Sequence, residues 1–467
     1  MIIPQAFKER MLRQLGLSES EKLFESLKAP PQSSLRLHPY KGKHLLAEML
    51  ARYEAIAWHP EAFYLDERPS FVADPHFHAG AYYVQEASSM LLYQAFEPRA
   101  GQVILDLCAA PGGKSTLLAS AMAEGSLLIA NEVVAKRASV LQETVGRWGE
   151  VGVVVCSSPP SHFARLKNSI DVLVIDAPCS GEGMFRKDDE ALAQWSPDLI
   201  QSCALRQRQI LVEVLPALKA GGTLIYSTCS YAPEEDEEIV TWLCEQGLEP
   251  HPLNLSTFGA YPVTIAKVSE AAHYCYPHRL KGEGFFIARL RKPRQPLAKG
   301  DQSLFDSKKA SKPLAEQPYH DLVKDYLAQD YLESLRDFEL VSHQQNLYLR
   351  PKVSDVLAKT HIRILQSGLE LGKYLPKQHK APEFRPSHQL AMSRGLNKDV
   401  EAYELSYEEA IAYLSKEELD HPPPQSFKTH PWLLARYQGS NLGWLKASQT
   451  RMNTYYPSNW RIRQKLS

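Results

Sequence analysis

Two cysteines lie in short polar segments that each follow an apolar run of the sequence. Cys179 lies three residues after Asp176, which follows the run 172–175, and Cys229 follows the run 223–227. Such runs are typical of buried strands in a parallel sheet, whose ligands bind at the carboxyl ends of the strands. We therefore expect both thiols and the Asp176 carboxylate to meet at one edge of a sheet, as a reactive site.

A thiol and a carboxylate together suit the methylation of a ring carbon that is unreactive by itself, such as carbon 5 of cytosine. A thiolate that adds to carbon 6 pushes electron density onto carbon 5, which can then accept a methyl group. Asp176 would favour this addition by donating a proton or a hydrogen bond to N3. A second base is useful when the carbon 5 proton leaves, and Lys114 would help electrostatically to keep a thiol ionised.

A glycine-rich loop follows the first apolar run, 103–107, and precedes a helical pattern. Small residues and paired glycines let the backbone pass close to a ligand at a helix N-terminus. Glu132 follows the second apolar run, 20 residues beyond Gly112, where nucleotide-binding α/β folds place a carboxylate on ribose hydroxyls. The ligand should therefore contain an adenosine group. The loop residues predicted to bind it are Cys108, Ala109, Ala110, Pro111, Gly112, Gly113 and Lys114.

The same loop invites comparison with a phosphate-binding P-loop, G-x-x-x-x-G-K-[ST], because it ends in Gly113-Lys114-Ser115. The first glycine of that pattern would fall on Cys108, and Pro111 lacks one of the amides that would bind phosphate. A carboxylate after the second run also fits a ribose binder better than a nucleotide triphosphatase. The sequence therefore favours the adenosine ligand.

Residues 96–292 alternate short apolar runs with amphipathic helical stretches, which predicts an α/β fold with a parallel sheet. The last run could pair antiparallel at the end of that sheet. The predicted strands are 103–107, 127–131, 151–155, 172–175, 223–227 and 284–290. The predicted helices are 114–123, 134–148, 197–218 and 234–245.

Four further segments surround this predicted core. Residues 1–95 combine helical patterns with turns rich in Pro, His and Gly, and end in a helix predicted to begin near Val84. Residues 293–317 lose periodicity and gain Lys, Pro and Ser, which is typical of a linker. Residues 318–390 mix helical and strand-like patterns. The remaining segment, 391–467, is basic and aromatic.

The end of the chain has a composition suited to RNA. From residue 421 onward there is no Asp or Glu. Basic groups neutralise phosphates, and aromatic rings offer a surface on which bases stack. The alternative is a small domain whose aromatic side chains form its own core. The residues concerned are Lys428, Arg436, Lys446, Arg451, Arg461, Arg463 and Lys465, with Phe427, Trp432, Tyr437, Trp444, Tyr455, Tyr456 and Trp460.

The overall composition limits the class of protein. A net charge of −1 argues against a protein that coats nucleic acid over its whole surface. The seven cysteines are scattered and form no Cys-x-x-Cys pair, so neither a disulfide framework nor a zinc site is expected. No signal peptide is evident, and no apolar run approaches the ~18 residues that cross a bilayer. We expect a cytoplasmic monomer without a metal.

Four motifs together resemble the NOL1/NOP2/Sun family of RNA 5-methylcytosine methyltransferases. They are DLCAAPGGKS, VIDAPCSGEGMFRK, IYSTCSYAPEEDE and PHRLKGEGFF. The segments LRLHPYKG, YYVQEASSM and YQGSNLGWLK resemble the bacterial RsmF/YebU branch, which acts on small-subunit (16S) ribosomal RNA. The resemblance implies a Rossmann-like class I methyltransferase core with a mostly parallel seven-stranded sheet. It also implies an α+β N-terminal region and a C-terminal PUA-like RNA-binding module.

The resemblance assigns roles to the residues of the site. The cysteine of the Thr-Cys motif, here Cys229, is the nucleophile, and the cysteine of the Pro-Cys motif, here Cys179, resolves the adduct. Asp176 lies at the cofactor and the target base, while loop 108–114 and Glu132 bind S-adenosylmethionine. The implied partner is ribosomal RNA or the small ribosomal subunit. Two alternatives are a tRNA cytosine-5 methyltransferase and a catalytically idle ribosome-assembly factor.

Several positions depart from the family pattern or permit two interpretations. Ser158 stands where relatives commonly have an acid or Asn against the cofactor base, which predicts weaker binding or a backbone contact. His38 replaces an Asn at an expected RNA contact. Arg186 and Lys187 could bind target phosphates or remain solvated loop charges. The acidic run 234–238 is interpreted as favourable charge at a helix N-terminus.

Overall fold

In the computed structural model, the described residues are 2–253, 255, 264–294, 303–305, 319–335, 337–352, 354–377, 380–419, 431–448 and 451–463. Most of the predicted linker 293–317 lies outside them, as do Phe427, Lys428 and Lys465. Within these ranges no helix is both long and apolar enough to cross a membrane. The same ranges contain no group of three or more His, Cys, Asp or Glu side chains arranged to hold a metal ion.

The N-terminal segment combines short helices with a three-stranded antiparallel sheet of order β2-β1-β3. The prediction of a helix from Val84 is wrong, because Tyr82–Val84 pairs with β1 and helical turns begin only at Ser88. Its helices are α1 Gln5–Leu15, α2 Leu17–Ser26, α3 Leu46–Arg52, α4 Pro75–His78 and α5 Leu92–Ala95. Its strands are β1 Ser33–Leu37, β2 Ala62–Leu65 and β3 Tyr82–Val84.

The central segment alternates strands and helices as predicted. The predicted strands appear within a few residues of their expected positions because their side chains are buried on both faces. The strands are β4 Val103–Asp106, β5 Leu127–Asn131, β6 Val153–Cys156, β7 Ile170–Asp176, β8 Leu218–Thr228, β9 Glu249–Pro250, β10 Thr264–Ala266, β11 Ser269–Cys275 and β12 Phe285–Arg291. The helices are α6 Gly113–Ala121, α7 Ala135–Trp148, α8 Pro160–Phe163, α9 Asp189–Gln194, α10 Pro197–Val214 and α11 Glu237–Glu245.

The rest of the chain forms two small antiparallel-rich units. The middle part contains α12 His320–Val323, α13 Gln329–Ser334, β13 Phe338–His343, β14 Asn346–Pro351, α14 Ser354–Ala358, β15 Ile364–Ser367, β16 Leu369–Lys377, β17 Lys380–Pro386 and α15 His388–Met392. The last part contains β18 Ala402–Glu404, α16 Tyr407–Ser415, β19 Trp432–Tyr437, β20 Ser440–Ala447 and β21 Met452–Thr454.

The central sheet has the order β10-β11-β12-β8-β7-β4-β5-β6-β15, with β9 paired to β12. The five strands from β8 to β6 are mutually parallel, and β12 runs antiparallel to β8 as predicted. The α/β class is confirmed. The described residues contribute ten strands rather than seven, because short strands extend the β12 side and β15 of the middle part pairs with β6.

The aromatic side chains of the C-terminal unit serve mainly as its own core. Trp432, Trp444 and Tyr456 are at most 3% exposed. Tyr437, Tyr455 and Trp460 are only partly buried. The alternative interpretation is therefore correct for the first three residues, and any stacking surface for bases is smaller than the composition suggested.

Helix α1 fastens the N-terminal segment to the central one through an aromatic cluster. Phe7 is fully buried, and its ring lies 5.2 Å from Phe185 and 5.6 Å from Trp195, measured between centroids. Both contacts are edge-to-face, the arrangement that aromatic quadrupoles favour. Phe185 belongs to the segment just after Cys179, so this cluster also supports one of the two cysteine loops.

Replacing Phe7 by Ala should lower the free energy of unfolding by about 3–5 kcal/mol, because a large buried ring is lost and a cavity remains. Urea unfolding followed by tryptophan fluorescence measures the change. Leu12→Ala on the same helix is the control, since that side chain is 38% exposed, and it should cost only about 0.5 kcal/mol. Equal losses from the two substitutions would contradict the proposed anchoring.

Candidate active site

The two cysteines come together because β7 and β8 are parallel neighbours that end in register. Asp176 at the end of β7 pairs with Ser227 near the end of β8. The loops that follow therefore leave the sheet at the same edge, and the Sγ atoms of Cys179 and Cys229 lie 3.1 Å apart. The structure thus brings together the two thiols that the sequence predicted to share a site.

Asp176 is held in the same site by two hydrogen-bond donors. Lys114 Nζ lies 2.8 Å from Asp176 Oδ2, and the Ser227 hydroxyl donates to Asp176 Oδ1 at 2.9 Å. Burial opposes the charge on Lys114, but the Asp176 carboxylate outweighs this effect and raises the lysine pKa. The ammonium group also lies 5.0 Å from the ring centroid of Phe285. Lys114 therefore carries a positive charge beside the thiols at neutral pH.

The surroundings of Cys179 favour its protonated form. The hydrogen bond between Cys179 and Cys229, followed by burial, raises the pKa of Cys179 well above the usual value, and negative charge on Cys229 adds to this effect. Cys179 is therefore protonated at neutral pH. Cys108 is different again, because burial raises its pKa and its side chain packs against the core.

The glycine-rich loop runs from β4 into α6 in a conformation that requires glycine. Gly112 has φ +114°, and a Cβ there would lie 2.7 Å from Thr144 Cγ2. The loop backbone is tied to the next strand by the Ala109 N–H, which donates to Asn131 O at 2.8 Å. The predicted ligand loop 108–114 thus lies at the carboxyl edge of the sheet, beside Asp176.

Glu132 has a buried carboxylate oxygen that pairs with Arg137 but accepts no hydrogen bond. The side chain is 3% exposed, and Oε1 accepts a hydrogen bond from Val134 N at 3.0 Å. Among the described residues, no group donates a hydrogen bond to Oε2, although Arg137 Nη1 lies 3.3 Å away. A buried carboxylate oxygen without a donor is suited to a ligand hydroxyl. The contact of Glu132 with a ribose stays a prediction.

Ser158 is engaged by the protein itself. Its hydroxyl accepts a hydrogen bond from the backbone N–H of Arg363 at 2.8 Å, and only 2% of the residue is exposed. Its own N–H donates to Asn131 Oδ1 at 2.9 Å. The middle part of the chain therefore closes this corner of the sheet, and the expected contact with a cofactor base stays a prediction.

Two residues considered for RNA contact, His38 and Arg186, have buried side chains. The His38 ring lies 4.4 Å from the Trp148 ring, and burial keeps its pKa well below the usual value. Arg186 donates from Nε to Glu283 Oε2 at 2.7 Å, and its side chain is 7% exposed. His38, where the RNA contact was left open, is thus enclosed by the protein. Arg186 matches neither interpretation, because it is a buried partner of Glu283 and not a solvated loop charge. Lys187 is partly exposed, with Nζ 3.8 Å from Glu283 Oε1.

Several supporting residues escaped the sequence analysis. Arg36 is fully buried, and its Nη2 donates to Gly113 O at 3.3 Å and to Thr116 Oγ1 at 2.9 Å. Burial lowers the pKa of this guanidinium to about 9. Asn131 bridges the loops after β4 and β6 through its amide group. The sequence could have indicated Arg36 and Asn131, because each is a polar residue in or at the end of an apolar run.

The interpretation of 234–238 as charge at a helix N-terminus is wrong for two of its residues. Helix α11 begins only at Glu237. Glu235 and Asp236 point into the interior, where each is fully buried. Glu235 accepts hydrogen bonds from Ser180 and Ser230, and Asp236 accepts one from Thr228 at 2.6 Å.

Comparison with known proteins identifies the families that this chain resembles. Models of three families match the chain: the N-terminal domain of 16S rRNA methyltransferase RsmF over residues 3–87, 16S rRNA methyltransferase RsmB/F over 93–291, and the methyltransferase RsmF PUA domain over 400–462. These matches confirm the resemblance that the motifs predicted.

Individual relatives agree with the family models. A ribosomal RNA small subunit methyltransferase F from Erwinia tasmaniensis is 29% identical over 98% of this chain and 96% of its own length. A protein of the same name from Escherichia coli is 31% identical over 86% of this chain and 83% of its own length.

Solved structures share the fold. A methyltransferase homolog protein from Pyrococcus horikoshii is 29% identical, with a TM-score of 0.54 over 62% of this chain and 95% of that one. NSun6 from Pyrococcus horikoshii with SFG is 21% identical, with a TM-score of 0.54 over 62% of this chain and 99% of that one. By sequence, with the fold in agreement, the chain belongs to the 16S rRNA methyltransferase RsmB/F family.

Proposed function

We propose that this chain methylates carbon 5 of a cytosine in 16S ribosomal RNA, with S-adenosylmethionine as methyl donor and Cys229 as nucleophile. The observation that carries the proposal is the pair of thiols 3.1 Å apart, next to the Lys114–Asp176 ion pair. Family membership supports the reaction class and the RNA substrate. The family's assignment of the two cysteines supports the choice of nucleophile.

The residues around the glycine-rich loop fit the methyl donor. Oε2 of Glu132 pairs with Arg137 but accepts no hydrogen bond, so it can accept one from a ribose hydroxyl. Gly112 keeps the loop surface free of a side chain. Loop 108–114 and Glu132 would hold the cofactor, with Asp176 at its methyl end. When bound, S-adenosylmethionine supplies an electrophilic methyl group.

The proposed reaction begins with addition of the Cys229 thiolate to carbon 6 of the cytosine. The positive charge of Lys114 favours the thiolate. As the ring accepts electrons, Asp176 would pass a proton from the Lys114 ammonium group to N3. Carbon 5 then takes up the methyl group. The target base must leave its stack to expose the ring face to the thiol.

Resolution of the adduct is assigned to Cys179. The hydrogen bond and the charge of Cys229 that raise the pKa of Cys179 disappear once Cys229 is bonded to carbon 6. Cys179 then releases its own proton to solvent more readily, and its thiolate can remove the proton from carbon 5. The electrons of that C–H bond restore the ring double bond and expel the Cys229 thiolate, while N3 gives up its proton.

RNA binding away from the catalytic centre is proposed for the C-terminal unit, 391–467. The family-model match to a PUA domain supports this role. Arg451, Arg461 and Arg463 are exposed, so their charges are available to phosphates.

The two cysteines should give different defects when they are replaced. Cys229→Ala should abolish both methyl transfer and the covalent RNA adduct, since Cys179 is proposed to act only as a base after the adduct has formed. Cys179→Ala should allow the adduct to form and persist, because its resolution needs the second thiol. The measurements are transfer of labelled methyl groups to 16S RNA, small subunits and tRNA, and gel detection of the adduct.

Cys244→Ala is the matched control, because this half-buried thiol lies on α11 and should leave transfer unchanged. A persistent adduct in Cys229→Ala rather than in Cys179→Ala would reverse the two assignments. Failure of the unaltered protein to label any of the three RNAs would contradict the proposed function.

Glu132→Gln should weaken cofactor binding roughly tenfold, because a hydrogen bond to a charged group contributes about 1.5–3 kcal/mol. Calorimetric titration with S-adenosylhomocysteine measures the affinity without any catalysis. Glu124→Gln, at an exposed position, should bind normally. Equal affinities for the two variants would exclude Glu132 from the cofactor site.

A further inference from the structure

Three carboxyl groups lie in the interior beneath the two thiols. Glu182, Glu235 and Asp236 are all fully buried. Burial raises the pKa of Glu182 to about 7, and it also raises the pKa values of Glu235 and Asp236. Burying a carboxyl group is costly unless polar partners compensate. The hydrogen bonds of these three carboxyl groups therefore indicate which parts of the structure they stabilise.

Glu235 accepts hydrogen bonds from both cysteine loops. Ser180, the residue after Cys179, donates its backbone N–H to Glu235 Oε1 at 2.8 Å and its hydroxyl to Oε2. Ser230, the residue after Cys229, donates its hydroxyl to the same Oε2 at 2.7 Å. One carboxyl group thus joins the two residues that follow the thiols.

A second set of contacts closes the same junction. Glu182 Oε2 accepts the backbone N–H of Tyr231 at 2.7 Å, and the Gly183 N–H donates to the carbonyl of Cys229 at 2.7 Å. Gln207 of α10 donates to Pro178 O at 3.0 Å. The backbone on both sides of each thiol is therefore fixed.

We propose that Glu235 is a positioning residue that holds Cys179 and Cys229 at the separation that their successive steps require. This inference rests on the proposed function, since it concerns the two thiols of that reaction. Glu235 bonds to their loops and does not need to touch the RNA. Favourable charge at the N-terminus of α11 does not explain the position of Glu235, because its donors Ser180 and Ser230 lie outside that helix.

An acceptor-only group is needed at this position. The side chain of Glu235 accepts from N–H and O–H donors, including Gln207 Nε2 at 3.3 Å. The Cys203 thiol also forms a hydrogen bond with it. A glutamine would turn an amino group toward some of these donors, and the site would lose an acceptor. Glu235→Gln therefore changes the hydrogen bonding with almost no change in side-chain size.

The first test is kinetic. Glu235→Gln should lower kcat about 100-fold, because a displacement of roughly 1 Å between reacting groups has an effect of this size. The KM for S-adenosylmethionine should stay within about twofold, since Glu235 does not contact loop 108–114. Glu238→Gln is the matched control and should leave kcat unchanged. It also removes a carboxylate from α11, but the Glu238 side chain is 57% exposed.

The second test needs neither RNA nor cofactor. In glutathione buffers the two thiols can pass two electrons and two protons to glutathione disulfide, which becomes two glutathione molecules as a Cys179–Cys229 disulfide forms. The equilibrium constant reports how closely the protein holds the thiols together. It should fall roughly tenfold in Glu235→Gln, in line with hydrogen bonds to a charged group, and stay unchanged in Glu238→Gln. Peptide mass spectrometry identifies the disulfide.

The two tests separate the failure of this inference from that of the proposed function. If the unaltered protein methylates no RNA, the glutathione equilibrium still measures the effect of Glu235. If Glu235→Gln matches Glu238→Gln in both measurements, the inference is overturned. If Glu235→Gln does not fold, Ser180→Ala replaces it, because it removes only one donor. Unchanged kcat and equilibrium in Ser180→Ala would likewise overturn the inference.

Discussion

The parallel pairing of β7 with β8 is the constraint on which the active site depends. Side chains along a strand advance by about 3.3 Å per residue and alternate between faces. A shift of one residue in this register would carry Cys229 away from Cys179 and reverse the faces of the neighbouring side chains. The register is secured by side chains buried on both faces of these strands, such as Leu173 and Ile225. The separation of the two thiols thus depends on the packing of side chains along β7 and β8.

Much of the site followed from local sequence. The glycine loop, Glu132 and both cysteines stand directly after apolar runs, and the ends of parallel strands converge at one edge. Such features need only neighbours in the chain. The β12 strand and its antiparallel direction were predictable for a similar reason, because it is the last apolar run of the core.

Features that depend on distant parts of the chain were missed. The hydrogen bond between Ser158 and Arg363 joins residues 205 positions apart, and no local pattern signals it. Val84 was assigned to the start of a helix, because the three residues of β3 are too few to show strand alternation. The direction of Glu235 could not be read from an acidic run, in which solvent-facing and inward-facing residues have the same composition.

The pairing of β15 with β6 has a consequence for the edge of the central sheet. Without β15, the backbone groups of β6 on that side would be unpaired, forming an open edge of a kind that promotes association between chains. The core over residues 93–291 is therefore not self-sufficient at this boundary. Loss of the middle part would therefore expose the backbone N–H and C=O groups of β6 that now pair with β15.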